Sequence, residues 1–409
     1  MNHKFTFAQR TQWPLKTNRI VTAFGHIKRQ NKEIIDLTIS NPTQCGFHYS
    51  LDNILSPLSN KRNLFYHPSP KGHKVAREVI CRNYNACGLG LSPEQIFLTS
   101  STSEAYMYLF RLLVNPNEKV LFPRPSYPLF PFLCDLNDVN MDYYSIKYDQ
   151  GEWMIDVESI KHFQDEHLRA VVLVNPNNPT GSYVKINEMT TLTHFCGQQG
   201  ISIISDEVFW DFQLAPLDGI TRMALNRDVL TFSLGGLSKS LILPQMKLAW
   251  IIVTGPDDLV QKSIERLEVI ADTYLSVNAP AQNALSAWMT IKDQMQEEVL
   301  LRLQNNYNYL CQELNSSMDF NVLPVEGGWS AIIQMPGVIE EELVVLKLLN
   351  DDYVYVHPGY FFDLDDGSYL TVSLLLPEEL FQKGINLIHR TLANLLKQFN
   401  HDEKGDRYV

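Results

Sequence analysis

Hydrophobic positions in this chain follow two alternating rhythms. Near-continuous apolar runs, rich in β-branched residues, lie at 119–122, 170–174, 201–204, 229–234 and 248–253. Such runs predict strands covered on both faces, as in a parallel sheet between two helical layers. Between them lie helix-length stretches at 104–114, 187–199 and 257–274. In the first, Tyr106, Leu109, Phe110 and Leu113 fall on one helical face. Strand and helix in alternation imply an α/β unit built on a mostly parallel sheet.

From about residue 290 the rhythm changes. A long helix is predicted over 291–314, then short strands at 320–324, 330–335, 353–356 and 369–376, and a last helix ending at 399. These describe a smaller α+β unit. The first 45 residues read as irregular and residues 401–409 as a solvated tail, and no internal repeat is evident.

A length of 409 residues suits two domains. The net charge of −12 argues against nucleic acid or an anionic membrane as partner. The N-terminal stretch has no apolar run long enough for a signal peptide, and no later stretch is long enough to span a bilayer. Six cysteines are scattered without the spacing of a metal site, so free thiols, no bound metal and a reducing, cytoplasmic location are expected.

Four segments carry candidate chemistry. Ser101 and Glu104 are spaced as a capping box. The hydroxyl-rich turn Ser101, Thr102, Ser103 then leads into a helix whose free N–H groups can hold a phosphate, although a well-capped helix without ligand looks the same. Val174-Asn-Pro-Asn-Asn-Pro-Thr-Gly181 sets amide side chains at a strand's C-terminal end, where doubly wound sheets bind ligands, and the same residues also make ordinary turns. Asp206 stands just past a strand, as a helix cap or as the partner of a protonated pyridine nitrogen. Lys239, in Leu234-Gly-Gly-Leu-Ser-Lys-Ser240, is either an ordinary solvated lysine or a desolvated amine nucleophile.

In this order the four segments resemble the fold-type I enzymes dependent on pyridoxal 5′-phosphate (PLP), specifically the class I/II aminotransferases, from about Asn41 to Leu387. The resemblance implies a large PLP-binding domain over 46–290 and a small domain formed by 1–45 with 291–409. It makes Lys239 of the Ser238-Lys239 pair the Schiff-base lysine and proton shuttle, Asp206 the partner of the ring nitrogen and Asn178 the donor to the phenolic oxygen. It puts Tyr127, in Pro125-Ser-Tyr127, against the ring face. Ser101, Thr102 and Ser103 match the phosphate cup, with Ser238 and Lys247 as further cofactor contacts. Tyr66 matches a tyrosine that reaches the neighbouring subunit's phosphate, which implies a homodimer with shared sites. The activity implied is ping-pong transfer of an amino group from an amino donor to an oxo acceptor.

The chain departs from the family pattern in four places. Phe209 replaces a tyrosine three residues after Asp206, Lys247 an arginine eight residues after Lys239, and Gly236 a hydroxyl three residues before it. Thr371 stands where an arginine binds the substrate carboxylate, and no arginine lies between Arg302 and Arg390. Either the carboxylate is held from elsewhere, with Arg124 and Arg19 as candidates, or the substrate carries none in the usual place. Trp329 and the Tyr360-Phe361-Phe362 cluster are expected on the substrate side, where an apolar or aromatic group would fit. The missing arginine keeps open a lyase, decarboxylase or synthase reaction on the same cofactor. A ligand-sensing module is disfavoured because the N-terminal segment has no helix-turn-helix pattern.

Overall fold

A computed structural model describes residues 6–163, 165–315 and 319–405, with side chains to residue 398. Its larger sheet has eight strands in the order Ile96–Thr99, Ala249–Thr254, Thr231–Gly236, Ser202–Asp206, Leu168–Val174, Lys119–Arg124, Asn140–Asp149, Glu152–Ile155. The five strands from Thr231–Gly236 to Asn140–Asp149 run parallel. Alternate residues serve opposite faces: Val120, Phe122 and Val172 pack with Leu109 and Leu267 of the helices Thr102–Leu113 and Asp257–Tyr274. Leu121, Val171 and Leu173 pack with Leu192 and Phe195 of Ile186–Gln199. This two-sided cover is why those strands read as unbroken apolar runs.

One expected strand behaves differently. Ala249–Thr254 was grouped with the parallel set by its apolar run, but it lies antiparallel to both neighbours. The connection from Gly236 holds only the one-turn helix Leu237–Ser240 and the 3-10 turn Pro244–Met246. Neither is long enough to carry the chain back along the sheet, so the strand re-enters from the end it left.

The smaller sheet is antiparallel, in the order Asn321–Val322, Ser330–Met335, Ser368–Ser373, His357–Pro358. The helices Lys292–Leu314 and Glu378–Gly405 share a core with it through Leu303, Leu310, Ile333, Leu370 and Ile388. Two readings are corrected here. The first 45 residues include a helix, Arg19–Arg29, whose Asn18 Oδ1 accepts from the Val21 N–H at 2.7 Å and which buries Ile20 and Ile27. It leads into Ile35–Asp36, which pairs in parallel with Val354–Tyr355. The last helix continues through the first five residues expected as tail, and residues 406–409 lie outside the described residues.

A buried ionic cluster holds the chain just after Asp206. Arg222 donates to Glu207 at 3.1 Å and to Asp211 at 3.4 Å, and its guanidinium lies 4.5 Å from the Trp210 ring centre and 5.1 Å from that of Tyr84. The Glu207 side chain has no exposed surface, and burial raises its pKa against the pull of Arg222. Arg222→Ala strands that carboxylate without its cation. Urea unfolding at pH 7–8 is expected to show a loss of roughly 3–5 kcal/mol, shrinking towards pH 5 as Glu207 takes up a proton.

Candidate active site

Four adjacent parallel strands end on the same edge, and each delivers one candidate side chain there. Lys119–Arg124 leads to Tyr127, Leu168–Val174 to Asn178, Ser202–Asp206 to Asp206 itself and Thr231–Gly236 to Lys239. All four line one cavity of about 260 Å³. Strand C-termini in an open parallel sheet converge in this way because the connections leave on alternate faces. The opposite wall comes from the smaller sheet and its flanks, through Trp329, His357, Thr371 and Ser373.

Lys239 is the third residue of the one-turn helix Leu237–Ser240. A Cβ at Gly235 would come within 2.5 Å of Trp250 Nε1, and one at Gly236 within 3.0 Å of Ala249 Cβ. Close packing against the antiparallel strand thus leaves no room for a hydroxyl side chain before the lysine. The Lys239 Nζ lies 4.5 Å from the Trp329 ring centre and 5.1 Å from that of Phe209. Burial lowers its pKa from 10.5 to about 8, with Asp206 pulling the other way. An amine with the lower pKa is free base at lower pH. Labelling of Lys239 by trinitrobenzenesulfonate in the cofactor-free protein, read by peptide mass, is therefore expected to rise with pH with a midpoint near 8 and to level off well below 10.5. Labelling that keeps climbing towards pH 10.5 would refute the shift.

Asp206 is buried at the end of its strand. Its Oδ2 accepts from the Tyr106 hydroxyl at 3.2 Å and its Oδ1 from the Val208 N–H at 3.3 Å. Burial raises its pKa from 3.8 to about 6 despite these two donors. Tyr106 was predicted only as part of an apolar helical face. Its ring does pack against Phe130, but its hydroxyl reaches across one hundred residues to Asp206. No sequence signal distinguishes it from a core aromatic.

The three asparagines of the proline-rich turn divide their work. Asn175 donates to the Thr221 carbonyl at 3.1 Å and accepts from Val184 N at 3.0 Å, while Asn177 accepts from the Thr180 hydroxyl at 3.0 Å. Both are buried and hold the loop. Asn178 faces the cavity, and its Oδ1 accepts from Ser330 Oγ at 3.4 Å. Gly181, at φ +74°, lies so close to the smaller sheet's approach that a Cβ would stand 2.5 Å from the Gly327 carbonyl. Tyr127 is 46 % exposed and meets Phe130 edge-on at 6.3 Å, so a ring face is free at the cavity mouth.

Thr102 and Ser103 line the cavity at the start of the twelve-residue helix Thr102–Leu113. Ser101 does not line it. Its Oγ caps the helix by accepting from the Glu104 N–H at 3.2 Å, and Glu104 turns to the Ser100 N–H at 2.6 Å and to Ser276 at 2.6 Å. Ser238 is partly buried beside Lys239 and Lys247 is exposed in a left-handed turn at φ 50°, and neither is among the lining residues. Tyr66 is 79 % exposed and lines a separate groove with Tyr108 and Gln282.

Neither arginine considered for a substrate carboxylate lines the cavity. Arg124 pairs with Asp363 at 3.6 Å and Asp365 at 3.4 Å, and Arg19 with Glu342 at 3.0 Å. Thr371 does line the cavity, opposite His357 in the sheet register. His357 is a further wall residue that the sequence did not disclose. Burial takes its pKa down to about 4, against the pull of Asp36, so the ring is neutral at pH 7.

The arrangement fits PLP. Asp206 is a buried carboxylate with two hydrogen-bond donors and no ion-pair partner among the described residues, which suits a protonated ring nitrogen. Lys239 presents an amine with lowered pKa, Asn178 an amide and Thr102–Ser103 a helix N-terminus to the same cavity.

Comparison with solved structures gives the same fold. An aminotransferase from Escherichia coli superposes with a TM-score of 0.84 at 22 % identity, covering 96 % of this chain and 99 % of the other. Alanine aminotransferase from Pyrococcus furiosus gives 0.83 at 21 %, covering 92 % and 96 %. In sequence, the glutamate-pyruvate aminotransferase AlaA of Escherichia coli strain K12 is 26 % identical over 260 residues, 63 % of this chain, so the chain spans 64 % of that relative's length. A tyrosine aminotransferase of Dictyostelium discoideum is 22 % identical over 361 residues, 85 % of this chain and 86 % of the relative. Residues 32–387 match the family model described as aminotransferase class I and II. With the site geometry and a match over that span, the chain belongs to the class I and II aminotransferases, a family whose members use pyridoxal phosphate.

Proposed function

We propose that this protein is a PLP-dependent aminotransferase working by two half-reactions, in which a donor amine leaves as an oxo compound and an oxo acceptor leaves as an amine. The observation that carries this reading is the shared cavity of Lys239 and Asp206, one amine and one carboxylate with pKa values displaced towards each other. When bound, PLP supplies the electron sink for the bond broken at the substrate's reacting carbon. Asp206 would hold a proton on the ring nitrogen, Asn178 would donate to the phenolic oxygen and Tyr127 would lie against the ring. Thr102 and Ser103, with the helix N-terminus they begin, would hold the phosphate. Lys239, a buried amine with a lowered pKa, would be placed to accept the proton released at the substrate's reacting carbon. Phe209 and Trp329, flanking the amine, keep water from it.

The test mixes the purified holoenzyme with a panel of amino acids and simple amines and follows the oxo product and the amine formed from an added oxo acceptor. Transfer that requires both substrates supports the reading. Release of ammonia with an oxo acid, or of carbon dioxide, from one substrate alone would replace it with a lyase or decarboxylase.

We also infer a homodimer. The exposure of Tyr66, Phe65 and Leu64 supports it, since a second copy burying that surface would put Tyr66 in reach of the other site. Domain limits of 46–290 for the large domain and 1–45 with 291–409 for the small one are supported by the pairing of Ile35–Asp36 with Val354–Tyr355. The six cysteines are all free, which supports a cytoplasmic location, and no described helix is long and apolar enough to cross a membrane.

A further inference from the structure

Behind the lysine, one side chain joins the two loops that flank it. Gln296 stands in the second turn of the helix Lys292–Leu314. Its Nε2 donates to the Ser240 carbonyl at 2.7 Å and to Asp211 Oδ2 at 2.9 Å, one hydrogen of the amide for each. Ser240 follows Lys239 and ends its one-turn helix, so its carbonyl is one that the helix itself cannot satisfy. Asp211 lies two residues past Phe209, whose ring centre is 5.1 Å from Lys239 Nζ, and five past Asp206.

Both ends of this bridge are under load. Asp211 also pairs with Lys292, one helical turn before Gln296, at 3.2 Å and with Arg222 at 3.4 Å, so the carboxylate is a fixed anchor. The turn after the lysine is strained: Ile242, a β-branched residue, sits at φ 50°. It is held there from outside, by Gln296 at Ser240 and by the Tyr49 hydroxyl, which donates to the Ile242 carbonyl at 2.8 Å. Removing the amide leaves the Ser240 carbonyl and Asp211 each short of a donor and frees the turn to draw away from the loop. Water would then reach the amine and undo part of its burial.

We propose that Gln296 is a positioning residue for the reaction: its amide clamps the Lys239 helix to the loop that carries Asp206 and Phe209, and so sets where the Lys239 amine stands in the cavity. The role in the reaction rests on the aminotransferase reading, whereas the placing of the amine can be measured in the cofactor-free protein. Asp206 and Cys45 are the groups whose charge acts on that amine, and the substitutions below leave both in place.

The experiment uses Gln296→Leu, of similar size without donors, and Gln296→Asn, which keeps the amide but is too short to reach both acceptors. In cofactor-free protein, the midpoint of Lys239 labelling by trinitrobenzenesulfonate is expected to rise from about 8 by at least about half a pH unit in Gln296→Leu, and by less in Gln296→Asn. In the holoenzyme, kcat of Gln296→Leu is expected to fall about tenfold with KM within about twofold, since a misplaced amine slows the proton step without changing what holds the substrate. Lys292→Met is the control. It takes a partner from Asp211 but leaves the Ser240 carbonyl bonded, so it should lower stability to urea without moving the labelling midpoint. A smaller rise in folded Gln296→Leu would overturn the proposal and leave Gln296 an ordinary structural bond. An equal rise in Lys292→Met would overturn it too, because the Asp211 end alone would then explain the effect. Gln296→Asn decides if Gln296→Leu does not fold, and an unchanged midpoint there would sink the clamp. Absence of amino transfer from the wild type as well would remove the aminotransferase assignment and leave the labelling result standing.

Discussion

Replacing Lys239 by alanine is expected to lower amino transfer by at least roughly a thousandfold, because one side chain performs two tasks in the proposed mechanism. It holds the cofactor covalently and then carries the proton at the reacting carbon. Borohydride treatment followed by peptide mapping should find the reduced cofactor on Lys239 in the wild type and on no lysine in the variant. Lys239→Arg is expected to be equally inactive, since a guanidinium stays charged at every working pH. Added methylamine should restore part of the Lys239→Ala rate by entering the vacated space as a free base. A variant within tenfold of wild type would sink the assignment. Stability should move the other way. The folded pKa of about 8 lies below the ordinary 10.5, so the cofactor-free fold bears the cost of a buried ammonium fully below pH 8 and not at all above 10.5. Cofactor-free Lys239→Met is accordingly expected to be more stable than wild type at pH 7, with the difference fading between those two values.

The second large effect belongs to Asp206. Asp206→Ala is expected to cost roughly 10²- to 10⁴-fold in turnover, because nothing else in the cavity keeps the ring nitrogen protonated. Asp206→Asn preserves the shape and one acceptor but no charge. Its affinity for PLP, measured by fluorescence titration, is expected to fall roughly 10- to 100-fold. The sign of the pH effect follows from the raised pKa. Without cofactor, the native carboxyl holds its proton up to about pH 6 whereas the unfolded one releases it near 3.8. Stability due to this group is therefore present at pH 3.8 and lost as pH rises to 6, and Asp206→Asn should abolish that fall. Activity of Asp206→Asn within threefold of wild type would rule out the ring-nitrogen role. Tyr106→Phe, which removes only the hydroxyl 3.2 Å from Asp206, should show a smaller loss of the same kind.

Lys239, Asp206 and Asn178 stand out in the sequence in turns at the ends of strands, Tyr127 comes from the family resemblance, and all four line the cavity, whereas Ser101, Ser238, Lys247 and Tyr66 do not. Such a unit spans a dozen residues, and its geometry is set by local preferences: Gly235 and Gly236 for close packing, the prolines of the 174–181 turn, a capped helix start at Ser101. The helix Arg19–Arg29 was missed although Ile20, Phe24 and Ile27 recur at helical spacing, because Gly25 and the β-branched Val21 and Thr22 weaken the helical signal. The direction of Ala249–Thr254 was also beyond reach, since an apolar run looks the same in either orientation.

What the sequence determined by itself is the placing of Lys239, Asp206 and Asn178 at strand ends on one edge of the larger sheet. On the other side the sequence pointed to Trp329, Phe362 and Thr371, and the tertiary structure added His357, Ser330 and Ser373. Residues 329–330, 357 and 371–373 become one wall through the antiparallel pairing of Ser330–Met335, Ser368–Ser373 and His357–Pro358, and Thr38 and Ser40 join it because Ser373 donates to the Leu37 and Ile39 carbonyls. Tyr106 became a partner of Asp206 only because a helix packs against the sheet. Likewise, only the tertiary structure places Arg124 and Arg19 outside the cavity, beside Asp363, Asp365 and Glu342. Whether a charge is free or paired depends on contacts between distant segments. Local sequence preferences cannot encode that.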